Sequence, residues 1–310
     1  MPMHRFLIAL TAIFIMILPG CNRDKPEKID LSKTETINHE KSRQPGAIRI
    51  AVGGDNNTLG VLYYKELLDY IGTELGRPID YVDTSDNDEI NDMLESRNIE
   101  AAIVCSGPYV DGHKKFGLEL LAAPMVYGKT EYYSYIIVPK DSPTKSLDGL
   151  KGKSFAFTDH LSNSGKLVPE YLLAKKGENS KTFFSSTVYS GSHDGSIKAV
   201  ADKLVDGAAV DSLIWEYLNN TRPEVTRKTR ILLKSAPYAN HPFVVHPSLD
   251  PVLKQKLRTA LLSAHTKPKG KELLAKMSIN RFVPIDDKAY DSIREVKKWV
   301  AQHEQKNRTP

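Results

Sequence analysis

The chain has 310 residues, 40% hydrophobic and 26% charged, an ordinary globular composition with length enough for two domains. Its net charge of +5 is uneven: Lys254 to Pro310 holds fourteen Lys/Arg against six Asp/Glu, and the remainder is slightly acidic. No basic patch with interleaved aromatics occurs, which argues against nucleic acid as a partner, and Cys21 and Cys105 alone supply neither a disulfide framework nor a paired-cysteine metal site, so no cofactor or metal is expected.

In chain order, His4 and Arg5 precede an apolar run from Phe6 to Leu18 broken only by Thr11. Thirteen residues suit a signal-peptide core and are short for a membrane span of ~20. The run ends Leu18-Pro19-Gly20-Cys21, which resembles the lipobox of bacterial lipoproteins, although Pro19 departs from the small residue usual there. The resemblance implies cleavage after residue 20 and a lipid on Cys21. Residues 21–46 are rich in Lys, Glu, Asp, Ser and Thr and nearly free of large apolar residues, the composition of a tether that leaves a folded domain standing off a membrane.

Ile48 to Gly53 predicts a strand, Leu59 to Leu75 a helix closed by Gly76, Ile79 to Val82 a strand, Ile90 to Leu94 part of a helix, and Ala101 to Cys105 a strand leading into Ser106-Gly107-Pro108-Tyr109. Strands alternating with helices argue for a parallel α/β sheet. Tyr132 to Val138 is β-rich and stops at Pro139. A second series follows: strand Ser154 to Phe157, helix Leu167 to Lys176, strand Thr182 to Val188, a helix marked by Ile197, Val200 and Leu204, and strand Ala208 to Val210. Pro242 to His246 reads as a strand, and Pro251 to Ala264, Lys269 to Met277 and Ala289 to His303 as amphipathic helices. The economical arrangement is α/β with two lobes around a ligand cleft, lobe 1 from 47–134 plus 239–310 and lobe 2 from 135–238. The crossings near Tyr132–Tyr135 and Ala236–Tyr238 would serve as hinges.

Two polar clusters each follow a strand and open a helix: Ser162-Asn163-Ser164-Gly165 and Ser190-Gly191-Ser192-His193-Asp194. Helix N-termini carry unpaired N–H groups and the positive end of the macrodipole, so a pair of them favours a small oxyanion. Ser and Asn are equally the preferred N-caps. Asp211 ends the next strand, where it either accepts a hydrogen bond from a ligand's proton or amine or caps the helix Ser212 to Leu218. Ser106 and Tyr109 hold the matching edge of the first lobe, and Tyr63 and Tyr64 open its first helix.

Tyr133-Ser134-Tyr135-Ile136-Ile137-Val138, Ser146 to Phe157, the two polar clusters and Asp206-Gly207-Ala208-Ala209-Val210-Asp211 together resemble the periplasmic phosphonate-binding proteins of ABC importers. The resemblance implies a type II periplasmic binding-protein fold that closes on phosphonate, phosphite or phosphate, with an ABC permease as partner. It places Ser162, Asn163, Ser164 and His193 on the phosphonyl oxygens and adds Asp211 and Tyr64. Asn163 stands where the family usually has Thr. With a lipid on Cys21 the protein would sit in the cell envelope, on the outer side of the cytoplasmic membrane or in the periplasm. Two alternatives use the same residues: a ligand-sensing lipoprotein reporting to a membrane signalling partner, and a serine hydrolase with Ser162 or Ser164, His193 and Asp211. The hydrolase lacks a Gly-x-Ser-x-Gly elbow, so no enzyme is expected.

Overall fold

Ile48, Ile50, Ala51 and Val52 are buried on both faces of one strand, which forces that strand into the middle of a covered sheet. The computed structural model describes residues 45–53, 58–82, 84 and 86–306; the signal, the tether and Cys21 lie outside the described residues. Those described belong to one compact unit.

The chain runs through β1 (Ile48–Val52), β2 (Ile79–Val82), β3 (Ala101–Ile103) and β4 (Glu119–Val126). It crosses by β5 (Glu131–Tyr132) to β6 (Ser134–Pro139), β7 (Ser154–Phe157), β8 (Ser186–Tyr189), β9 (Gly207–Asp211) and β10 (Thr229–Lys234). It then returns by β11 (Tyr238–Ala239) to β12 (Phe243–Val245) and β13 (Ile279–Val283). One sheet has the order β13-β4-β12-β3-β1-β2 and the other β10-β6-β9-β7-β8. The two crossings pair with each other, Tyr238 opposite Tyr132, as a two-stranded antiparallel ribbon. The chain thus forms two α/β lobes linked by that ribbon.

The expectation of a parallel sheet needs correction. β1, β2 and β3 are parallel, as are β7, β8 and β9, but β12, returning from the other lobe, inserts antiparallel between β3 and β4. β13, β6 and β10 also pair antiparallel with their neighbours. Thr182 to Val188 is corrected as well: Asn179 caps a helical turn over Ser180–Phe183, and the strand starts at Ser186. Aromatic packing decides this, since Phe183 and Phe184 turn inward and Phe184 stacks on Phe155 at 4.3 Å. Each such ring, fully buried, contributes about 1.5–3 kcal/mol.

On one face of the first sheet, Leu67, Leu68 and Ile71 of helix Thr58–Leu75 pack with Leu257, Leu261, Leu273 and Leu274 of helices Pro251–Ser263 and Pro268–Lys276. Basic residues of the C-terminal region pair with acids across this surface, as in Lys276–Glu66 (2.7 Å) and Lys254–Glu119 (2.6 Å), exposed pairs worth ~0–1 kcal/mol each. The last helix, Asp291–Lys306, buries Ile293, Val296 and Val300. Its Lys297 Nζ is 2.6 Å from Asp111 Oδ2 beside the first sheet. Its Trp299 meets the ring of Tyr171 edge-on at 6.0 Å, and His303 Nε2 lies 3.1 Å from the Glu178 carbonyl, both partners beside the second sheet. The helix is therefore a third physical link between the lobes.

Candidate functional site

Three successive strand ends of the second lobe each hand over to a helix through a side-chain cap. After β7, Asp159 Oδ1 accepts the N–H groups of Leu161 (2.7 Å) and Ser162 (2.9 Å), turning the chain back. Ser162 Oγ accepts the Gly165 N–H at 3.0 Å, and the Leu167 N–H reaches back five residues to the Ser162 carbonyl at 3.0 Å. Such wide turns recur at functional sites. Gly165 is obligatory here, because a Cβ would stand 2.3 Å from Thr158 Oγ1. After β8, Ser192 Oγ caps helix His193–Ala201 by accepting the Gly195 N–H at 3.0 Å. After β9, Asp211 Oδ1 caps helix Ser212–Thr221 by accepting the Leu213 N–H at 2.6 Å. The capping reading thus holds for Ser162, Ser192 and Asp211. It is compatible with ligand binding, since a serine hydroxyl that accepts one bond still has its proton to donate.

His193 is 4% exposed at its helix start. Its Nδ1 lies 3.0 Å from Thr158 Oγ1 and accepts the backbone N–H of Asp211 at 3.1 Å. An N–H can only donate, so Nδ1 carries the lone pair, and the neutral ring's proton sits on Nε2 as a donor. The Asp211 backbone N–H therefore sets the tautomer.

Asp211 is fully buried. Its second oxygen, Oδ2, is 3.2 Å from His241 Nε2, yet their approach misses hydrogen-bond geometry and leaves Oδ2 without a hydrogen-bond partner. Half-buried Tyr64 faces it from the first lobe; burial first, and then the Asp211 charge, push the Tyr64 phenol up to about 12. Burial and the same carboxylate also raise Tyr132 well above the usual range. Asp211, His241 and Tyr64 line a cavity of about 140 Å³ between the lobes, which His193 also lines. Its walls include Ile103, Val126, Met277 and Ile279 from the first lobe and Leu213, Ile214 and Tyr217 from the second.

Of the residues expected at the site, Tyr64, His193 and Asp211 line this cavity. Ser162, Asn163 and Ser164 stand beside it, 1–2% exposed and shut in where the lobes touch. A Cβ on Gly107 of the first lobe would be 3.3 Å from the Leu161 carbonyl of the second. Asn163 Nδ2 donates to Tyr132 Oη at 2.9 Å, and Ser134 Oγ donates to the Ser164 carbonyl at 2.6 Å. Ser106 and Tyr109 are not among the residues that line the cavity. Ser106 Oγ donates to the Ala239 carbonyl at 2.7 Å, fixing the returning crossing, and Tyr109 Oη donates to Asp287 Oδ1 at 2.6 Å while packing on Tyr290. Both side chains turn into their own lobe. The hydrolase alternative fares no better, because Asp211 meets His193 through its backbone and its carboxylate does not orient the ring. Thr158 and His241 were missed. His241 lies in the second crossing, and only tertiary folding brings it to Asp211.

The family model for the periplasmic substrate-binding protein of phosphonate ABC transporters matches residues 60–290. The chain belongs to this family. Among curated members, it is 30% identical over 173 residues to the phosphonates-binding periplasmic protein of Escherichia coli K12, covering 54% of this chain and 51% of that one. It is 27% identical over 178 residues to a probable ABC transporter phosphite binding protein, PhnD1, of Prochlorococcus marinus MIT 9301, covering 54% of this chain and 60% of that one. The chain thus spans about half the length of the curated relatives it matches. Two solved structures share the fold. The binding protein component of an ABC phosphonate transporter from Pseudomonas aeruginosa superposes with a TM-score of 0.79 at 24% identity, over 85% of this chain and 89% of that one. PhnD1 of Prochlorococcus marinus in complex with methylphosphonate superposes with a TM-score of 0.75 at 20% identity, over 82% and 98%. The architecture is that of the two-lobed type II periplasmic binding proteins.

Proposed function

We propose that this family member is the solute-binding component of an ABC importer, that it holds phosphonate, phosphite or phosphate between its lobes, and that it delivers the ligand to a membrane permease. The observation that carries the reading is His193, which starts a helix, lines the cavity between the lobes and, with Nδ1 accepting the Asp211 N–H, has Nε2 as its donor nitrogen. Ser162 and Ser164, at the neighbouring helix start, add hydroxyl donors once the lobes part at Gly107 and Leu161. Electrostatics support the assignment, because buried donors aimed at an oxyanion need no reorganisation when it arrives. Cys21 carries the lipid and the tether spans to the folded domain, which places the protein in the cell envelope. Closure pivots on the crossings and lowers the radius of gyration on ligand addition.

Thermal-shift titration of the full chain with phosphate, phosphite, methylphosphonate and sulfate tests this. A ligand at a hundred times its Kd stabilises the folded state by about 2.7 kcal/mol, so at least one phosphorus anion raises the melting temperature. A flat response to all three phosphorus anions overturns the reading. For the anchor, mass spectrometry of the native protein shows a diacylglyceryl group on Cys21; an N-terminus at Met1, or cleavage after residue 21, refutes it.

A further inference from the structure

A fully buried carboxylate in a cleft that receives an anion repels it unless a positive or proton-donating group stands between them. That group comes either from the ligand, as an ammonium, or from the protein. Here a protein side chain already stands in the way: His241 Nε2 lies 3.2 Å from Asp211 Oδ2, the oxygen of that carboxylate that has no hydrogen-bond partner. The ring is held in position. The imidazole meets Tyr132 edge-on at 4.8 Å, and the backbone N–H of His241 donates to Asn240 Oδ1 at 2.9 Å, fixing the chain that carries it. An ammonium seeking Asp211 would have to displace this ring.

Beyond the Asp211–His241 pair the walls change character. Tyr63, Val126, Ile214, Tyr217, Met277 and Ile279 enclose the space, and among the described residues no Lys, Arg, Glu or second Asp lines it. The cavity measures about 140 Å³, whereas one water needs roughly 10–15 Å³ of such space. That is more room than a bare tetrahedral oxyanion fills, and its lining rewards apolar or aromatic surface.

Resting on the phosphorus-oxyanion reading above, we propose that the cleft selects organophosphonates with an uncharged, apolar substituent, aromatic ones included, and that His241 discriminates against aminoalkyl analogues by standing against Asp211. Its imidazole blocks the approach to the acceptor that a ligand ammonium would need, and the aromatic and aliphatic walls take the substituent.

Calorimetric titration of the full chain with methylphosphonate, phenylphosphonate and 2-aminoethylphosphonate tests this. The wild type binds phenylphosphonate more tightly than methylphosphonate, and 2-aminoethylphosphonate weakest. His241→Ala leaves Asp211 open, and the affinity ratio of 2-aminoethylphosphonate to phenylphosphonate rises about ten- to a hundredfold, the worth of one charge-assisted hydrogen bond. His241→Asn, which keeps a polar side chain in the crossing, moves the ratio the same way and serves if the alanine variant folds poorly. A wild type that prefers 2-aminoethylphosphonate, or folded variants whose ratio stays at the wild-type value, overturns the proposal while leaving the oxyanion reading intact. Failure of all three probes to bind the wild type overturns the proposal, and it overturns the oxyanion reading as well when phosphate and phosphite also leave the melting temperature unchanged.

Discussion

The Cys105–Tyr109 corner of the first lobe and the Thr158–Gly165 corner of the second occupy equivalent places, each where a strand ends at the cleft and a helix begins. Their residue types are alike: serine, glycine and a polar neighbour. Their employment differs. In the first corner no side chain caps the helix, and Ser106 and Tyr109 spend their hydroxyls on Ala239 and Asp287 inside their own lobe. In the second, Ser162 caps while keeping a proton to donate, Thr158 Oγ1 lies against His193 Nδ1, and the Asp211 backbone N–H fixes the tautomer. The first corner thus gives the cavity Cys105, whereas the second holds the ring of His193, which lines it. Position at a strand end brings a residue near the cleft, and the hydrogen-bond capacity it keeps sets what it can offer there.

The comparison breaks most visibly at His193. His193→Ala removes the Nε2 donor and leaves the Asp211 N–H buried without its acceptor. Affinity for the phosphorus anion falls roughly ten- to a hundredfold, and stability falls by about 1–3 kcal/mol. Titration calorimetry and denaturant unfolding read the two effects separately; unchanged affinity would remove the second corner's special role. Next comes Gly165→Ala. The added Cβ would lie 2.3 Å from Thr158 Oγ1 and 2.9 Å from Ser162 Oγ, so the loop must shift. Overpacking of this kind costs about 1–3 kcal/mol, seen as a lowered denaturation midpoint, and it weakens binding because Thr158 holds His193.

Ser106→Ala sharpens the contrast from the other side. It removes the donor to the buried Ala239 carbonyl, so stability drops by about 0.5–1.5 kcal/mol while affinity stays within about twofold of wild type. A tenfold loss of affinity would return Ser106 to the binding site. The smallest effect is at Asp206, far from the cleft. Its carboxylate accepts from Ser154 N (2.9 Å) and Ser154 Oγ (2.8 Å), and the backbone bond, against some burial, lowers its pKa. A depressed carboxylate contributes stability in full above its unfolded value of about 3.9, and that contribution is lost as pH falls through the folded value. Asp206→Asn therefore costs under ~1 kcal/mol at neutral pH, most of the group being solvated, and the difference from wild type shrinks below pH ~4. Acid melts of both proteins check this; a gap that widens on acidification reverses the sign.

The βα units were legible where strand and helix alternate locally: Ile48 to Val52, Leu59 to Leu75 and Ser154 to Phe157 need only their own periodicity. Strands β4, β10 and β13 were not read, because their partners lie far along the chain. In β4, Pro124 argues against a strand by sequence alone. It is tolerated because β12 pairs only as far as Ala122, leaving β13 as the sole neighbour at that position. At the site, His193 and Asp211 were readable from the strand-to-helix handovers. His241 was not, since Asn240-His241-Pro242 looks like a plain connector and gains meaning only when the second crossing folds back beside β9. The partners of Ser106 and Tyr109 were hidden for the same reason: Ala239 and Asp287 are more than 130 residues away.

The helix Asp291–Lys306 touches both lobes, through Asp111 on one side and Tyr171 and Glu178 on the other. One apolar cluster beneath it joins Ile293 and Val296 to Tyr109 in the first lobe and Val168 in the second. Lobes tied only by a two-stranded ribbon would be free to melt independently. With this helix in place, losing the first lobe's packing strips cover from the second. Cooperative unfolding is therefore expected, with one calorimetric transition for the two lobes together. Removing the helix at residue 291 separates that transition into two, the larger lobe melting first because it loses the greater share of its cover.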